Sequence, residues 1–184
     1  MADPSPPPVF TIGHSTRTIA EFVELLRVGA VAEVVDIRTV PRSRANPQYN
    51  EDALPASLAE RQIAYERIAE LGGLRKRERD VPPEVNGYWS NRSFHNYADY
   101  ALSEEFRRGL ERLRALADDR ATAIMCAEAV WWRCHRRIVA DWLIGEGREV
   151  FHLMDPARAD PARMTPGAVR QERGIVYPSP APEA

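Results

Sequence analysis

The chain has 184 residues, of which 44% are hydrophobic and 28% charged, proportions that suit one globular domain with a core of its own. A formal net charge of −2 excludes a general electrostatic pull toward nucleic acid or a membrane surface. Lys76 is the sole lysine, so arginine, whose planar fork matches carboxylates and phosphates, carries the rest of the positive charge.

Residues 1–8 and 178–184 are proline-rich and are expected to be disordered or extended tails around a single α/β domain over 9–177. VFTIG (9–13), a β-branched apolar run ending at glycine, reads as a buried strand. In the next segment Ile19, Phe22, Val23 and Leu26 recur at helical spacing, with Thr18 as N-cap and Gly29 as stop. VAEVVDIR (31–38) and IAYERI (63–68) are strands, and 50–62 is helical with a proline break. A long loop from Gly72 to Ser93 precedes a helix over 96–117 with Phe106, Leu110, Leu113 and Ala117 on one face and Asn96 as its cap. ATAIMC (121–126) is a strand, 134–147 a helix and EVFHLM (149–154) a closing strand. Strict alternation of strand and helix predicts a mainly parallel open sheet with helices on both faces, a Rossmann-like three-layer sandwich.

Ligands of such sheets bind outside the carboxyl ends of the strands. Each expected strand is followed there by a polar cluster: Gly13-His14-Ser15, then Asp36 and Arg38 with Ser43 and Arg44, then Gly72-Gly73, then Cys126 and Glu128 running on to Arg133, Cys134, His135 and Arg136. These four clusters are expected to converge on one rim. Arg38, Arg42 and Arg44 exceed what Asp36 alone can balance, which favours an anionic ligand. Cys126, beside Arg133 and a helix N-terminus, is expected to be the activated thiol, with Glu128 as general acid or base and His14 as a third catalytic group. Cys134 extends the apolar stripe of its helix and is expected to be a core thiol. Gly13, Ser15, Asp36, Arg38, Ser43, Arg44, Gly72, Gly73, Arg133, His135 and Arg136 are the substrate-binding candidates. No cofactor is expected. The alternative of a transition metal on Cys126, Cys134 and His135 is set against the divergence of adjacent helical side chains by about 100°.

TIGHST, DIRTVPRSR, ELGG and MCAEAVWWRCHRR, in that order over roughly 9–155, resemble the domain of unknown function 488 family, whose members show TIGHS, D-[VI]-R-x-x-P-x-S-R, LGG and C-x-E-x-x-x-x-C-H-R. The resemblance implies an α/β fold and a shared polar site. By position it carries over Gly13, His14, Ser15, Asp36, Arg38, Pro41, Ser43, Arg44, Gly72, Gly73, Cys126, Glu128, Cys134, His135 and Arg136. It brings no established activity.

The first functional expectation is an enzyme, a hydrolase or transferase, acting on a small anionic substrate such as a nucleotide or phosphorylated metabolite. The alternatives are a nucleic-acid-processing or binding protein that stacks a base on Trp89, Trp131 or Trp132, and a ligand sensor without turnover. Two cysteines, an amino terminus unlike a signal peptide and no apolar run near the roughly 20 residues of a bilayer span predict a cytoplasmic protein with no membrane partner.

Overall fold

Alternation of apolar side chains between two faces builds the sheet. The computed structural model describes residues 5–182. Strands β1 (Val9–Gly13), β2 (Glu33–Asp36), β3 (Ala64–Arg67), β4 (Thr122–Cys126), β5 (Val150–Asp155) and β6 (Arg158–Pro161) form one sheet in the order β3-β2-β4-β1-β5-β6. The first five are mutually parallel and β6 closes the edge antiparallel to β5. Phe10, Ile12, Val34, Ala123, Met125 and Leu153 point to one face, where helices α1 (Ile19–Val28) and α2 (Leu54–Ala59) cover them with Phe22, Leu26, Leu54 and Leu58. Val9, Val35, Ile124 and Val150 point to the other, beneath α3 (Arg92–Tyr100), α4 (Glu104–Asp119) and α5 (Arg136–Gly145). The molecule is thus the three-layer α/β sandwich that the alternating sequence pattern requires.

Thr18 caps α1 in a full capping box with Glu21. The residue that turns left-handed after α1 is Ala30 (φ 47°), while Gly29 keeps a negative φ and is needed small because a Cβ there would meet the Phe10 ring at 2.7 Å. The expected helix over 96–117 is two helices. Ser103 accepts from the Phe106 N–H and starts α4 afresh, and Asn91 rather than Asn96 caps α3 by accepting from the Ser93 and Phe94 N–H groups. Asn96 lies inside α3 and donates to the Arg75 carbonyl. The stretch from Gly72 into Asn91 has no regular structure beyond a 3₁₀ turn at Pro83–Asn86.

β5 does not close the chain. After β6, strands β7 (Val169–Gln171) and β8 (Gly174–Val176) pair as a hairpin, followed by a segment pinned to the helical layer. Asp141, fully buried on α5, accepts from the Thr165 N–H (2.8 Å) and the Tyr177 hydroxyl (2.7 Å). Of the expected tails, 5–8 and 178–182 carry no regular structure, although Pro7 accepts from Arg148 and Ser179 donates to Glu84. Residues 1–4 and 183–184 lie outside the described residues. No helix among the described residues is long and apolar enough to cross a membrane.

Candidate functional site

The register of the sheet brings the chemistry together. Gly13 lies beside Cys126, and Asp36 beside Met125. The ladders then continue past the strand ends, with His14 N–H donating to the Cys126 carbonyl, Ser15 N–H to Ala127 and Ile37 N–H to Met125. The loops after β1, β2 and β4 therefore start side by side at the carboxyl edge. Gly13 is required at this junction, since a Cβ would lie 1.8 Å from the Glu128 carbonyl oxygen.

Beside this edge opens a cavity of about 420 Å³. Arg38, Gly73, Cys126, Glu128, Arg133, Cys134 and His135 line it. Opposite stand Thr39, Val40, Leu74 and the first turn of α3, with Asn91, Ser93 and Phe94, none of which the sequence patterns singled out. Val40 and Leu74 are 58% and 74% exposed, so the mouth of the cavity carries apolar side chains beside the exposed polar ones of Asn91, Ser93, Glu128 and Arg133. Gly73 must lack a side chain because a Cβ would come within 2.4 Å of His135 Nδ1.

Behind the cavity Asp36 and Arg38 form a buried bidentate pair, with Nε to Oδ1 at 2.9 Å and Nη2 to Oδ2 at 2.6 Å. The Tyr65 hydroxyl donates to Asp36 Oδ2 (2.6 Å), and Arg38 Nη2 also reaches the Tyr49 carbonyl (2.7 Å). Arg38 Nη1 donates to His14 Nε2 at 3.3 Å, and His14 Nδ1 donates to the Ser15 carbonyl at 2.8 Å. His14 is thus neutral with its single lone pair occupied, and burial holds its pKa below the ordinary histidine value. It stacks on Tyr49 with ring centroids 4.2 Å apart and does not line the cavity. His14, expected as a catalytic group, thus contacts Arg38 from outside the cavity lining.

Arg136 is the largest fully buried side chain, and among the described residues it forms no ion pair. Its guanidinium donates to Cys126 Sγ, to the Glu128 carbonyl (2.6 Å) and to the Ala129 carbonyl (3.1 Å). Its backbone N–H points at Cys134 Sγ (3.5 Å). A buried cation without a carboxylate calls for another anion, and the two sulfurs are the candidates in contact. Burial alone pushes the Cys134 thiol up, but a hydrogen bond from Cys126, the Arg136 charge and the Arg136 N–H outweigh it and bring the pKa down to about 7. Burial and the neighbouring Cys134 push Cys126 up. Of the two thiols Cys134 is the one drawn down, while the Arg136 guanidinium itself touches Cys126 Sγ, whose thiol faces the Glu128 carbonyl at 3.8 Å. His135 Nε2 donates to the Ile37 carbonyl (2.9 Å), which leaves Nδ1 bare at 3.6 Å from Cys134 Sγ. Burial lowers the His135 pKa, so this nitrogen is a neutral acceptor beside the thiol.

The remaining candidates divide plainly. Glu128 is exposed, and its Oε1 accepts from the Val130 N–H (3.4 Å), while its main chain serves Arg136. Arg133 is exposed and, among the described residues, in no ion pair. Ser15, Ser43, Arg44 and Gly72 do not line the cavity. Ser43 builds its own loop, donating to Asn50 Oδ1 and accepting from the Asn46 N–H, and Arg44 is exposed. Tyr97 and Tyr100 donate to the Leu71 and Glu70 carbonyls and so fix the backbone that leads to Gly73. Trp89 is in the core, Trp131 stacks on His152, and Trp132 is 45% exposed and outside the cavity lining. Among the described residues no group of three or more His, Cys, Asp and Glu is arranged to hold a metal ion.

His152 is a buried group that the sequence did not suggest, held between Thr11 (2.7 Å) and the Trp131 ring. Burial first, and the Arg136 charge second, bring its pKa down to about 4. The unfolded chain therefore takes up a proton near pH 6.5 that the folded protein refuses until about pH 4. Stability is complete above that window and falls as the pH drops through it, by up to about 3 kcal/mol from this residue. Urea midpoints at pH 7 and pH 4.5 are expected to differ accordingly, and His152→Gln to flatten the difference. Equal midpoints in the unmodified protein would contradict this.

The family described as Domain of unknown function DUF488 matches residues 18–143. That span holds the Asp36–Arg38 pair, Gly73 and the whole Cys126–Arg136 segment. No curated protein and no solved structure matches the chain significantly.

Proposed function

The chain belongs to the family described as Domain of unknown function DUF488, and from that premise we propose that it is a thiol-dependent enzyme acting on a small anionic substrate. Cys134 is the nucleophile. One observation carries this reading: the Cys134 sulfur lines the cavity with the Arg136 N–H (3.5 Å) and His135 Nδ1 (3.6 Å) around it, beside Cys126, whose sulfur touches a guanidinium that forms no ion pair among the described residues. In this reading Cys134 attacks an electrophilic atom of the substrate and displaces a leaving group, and the transferred group then passes to water or a second acceptor. Transferase or hydrolase chemistry follows from that sequence of steps. Arg133 favours an anion at the mouth, and Val40, Leu74 and Phe94 favour an apolar or planar body beside it. A nucleotide or an aryl or acyl phosphate has both parts.

Thermal-shift measurements with nucleotides, sugar phosphates and aryl phosphates, followed by turnover assays on the stabilising compounds, test the proposal. A binder is expected whose turnover is lost in Cys134→Ser while its binding is kept, and whose affinity drops in Arg133→Ala. Unchanged turnover in Cys134→Ser would overturn the nucleophile assignment. A second reading, a single-stranded nucleic acid at the mouth, is favoured by exposed Trp132 next to Arg133. Salt-dependent gel shifts with short oligonucleotides, abolished by Trp132→Ala, would support that reading over the small substrate.

A further inference from the structure

We propose that Cys134 and Cys126 form a redox-active dithiol, which a hydroperoxide oxidises to an intramolecular disulfide across the cavity floor. The proposal needs no anionic substrate, though it rests on the same reactive Cys134 sulfur as the reading above. Two free thiols in a core are ordinarily sealed from solvent, whereas these both line an open cavity. They come from the end of β4 and from the residue two positions before α5, and a single residue, Arg136, touches both sulfurs. Arg136 reaches Cys126 Sγ with its guanidinium and Cys134 Sγ with its backbone N–H at 3.5 Å, and each thiol shifts the titration of the other, so the two sulfurs share one small polar pocket. The lowered pKa of Cys134 makes it the sulfur that reacts first.

The steps balance as follows. The Cys134 thiolate attacks one peroxide oxygen and the O–O bond breaks, giving a sulfenic acid and an alkoxide or hydroxide that takes up a proton. The Cys126 sulfur then attacks Cys134, the S–S bond forms and the S–O bond breaks, and the hydroxide leaves with the Cys126 proton as water. In sum two thiols and one hydroperoxide give one disulfide, one alcohol or water, and one further water. The disulfide removes the anion beside Arg136 and leaves its guanidinium on the Glu128 and Ala129 carbonyls alone. That loss disfavours the oxidised form, so a mild thiol is expected to reverse it.

The test treats the reduced full chain with one equivalent of hydrogen peroxide at pH 7, blocks remaining thiols with iodoacetamide and maps the peptides by mass spectrometry. The expected result is the loss of two hydrogens and a crosslink between the Cys126 and Cys134 peptides, reversed by glutathione. Cys126→Ser, checked for folding by circular dichroism, is expected to stop at the sulfenic acid, with dimedone labelling of Cys134 roughly tenfold above the unmodified protein. Two thiols that remain alkylatable after peroxide, or Cys134 carried on to sulfinic acid with no crosslink in the unmodified protein, would overturn the proposal.

Discussion

Asp36→Asn is expected to destabilise the fold by roughly 3–5 kcal/mol, because it leaves the Arg38 guanidinium buried beside a neutral amide. Asp36 is fully buried and receives four hydrogen bonds at once, from the Arg38 backbone N–H, Arg38 Nε, Arg38 Nη2 and the Tyr65 hydroxyl. At the size of this domain the loss corresponds to a fall in Tm on the order of 10 °C. Tyr65→Phe removes a single bond from the same carboxylate and is expected to cost about 1 kcal/mol. The double variant Asp36→Leu/Arg38→Met takes away both charges and is expected to be more stable than Asp36→Asn. A Tm for Asp36→Asn within a degree or two of the unmodified protein would show that water reaches the pair. The Arg38 position would then not depend on Asp36, and the pair would be no foundation for the cavity wall.

Arg136→Met is expected to act on chemistry as well as on stability. The Glu128 and Ala129 carbonyls lose their donor, at about 1–3 kcal/mol for each one left without a partner. The two sulfurs lose the adjacent charge, so the Cys134 pKa is expected to rise from about 7 toward the ordinary thiol range. The rate of alkylation at pH 7 should then fall roughly tenfold, since the thiolate is the reactive form. Arg136→Lys restores a charge without the fork that reaches two carbonyls, and is expected to recover part of the reactivity but less of the stability. A purely structural role for Arg136 would lower the Tm and leave the pH profile of alkylation where it was.

The sheet was legible because four of its parallel strands are largely apolar runs that end in glycine, charge or cysteine, and a parallel sheet buried on both faces needs such runs, while the edge strand β3 is only half-buried. The junction of the loops was legible for the same reason, since all five parallel strands point their polar termini the same way. Other features were hidden by competing local effects. Helical periodicity runs through Ala101 and Leu102, and only the Ser103 cap breaks it. β6 and β7 are largely exposed and carry little hydrophobic pattern, and the buried β8 is only three residues long. The surroundings of the two thiols were not legible, because spacing gives the face of a helix but not the partners of a side chain. Cys134 does follow the buried stripe, as expected, yet its activation comes from Arg136, whose burial the sequence does not announce. His14 and Asp36 looked available for a ligand because their partners, Arg38, Tyr49 and Tyr65, assemble only in the fold. Ser43 and Arg44 stand in a sequence motif with Arg38, but the chain turns away from the cavity at that point. Val40 and Leu74 at the mouth gave no signal at all, since two isolated aliphatic residues in loops are common on any surface.

The most direct measurement is the rate of iodoacetamide alkylation of the reduced, unmodified protein as a function of pH, resolved by peptide. Carboxyamidomethyl label that appears first on Cys134, with half-maximal rate near the pKa of about 7, is the predicted outcome. Label that appears first on Cys126, or a Cys134 midpoint no lower than that of an ordinary thiol, would contradict an activated sulfur over a buried guanidinium.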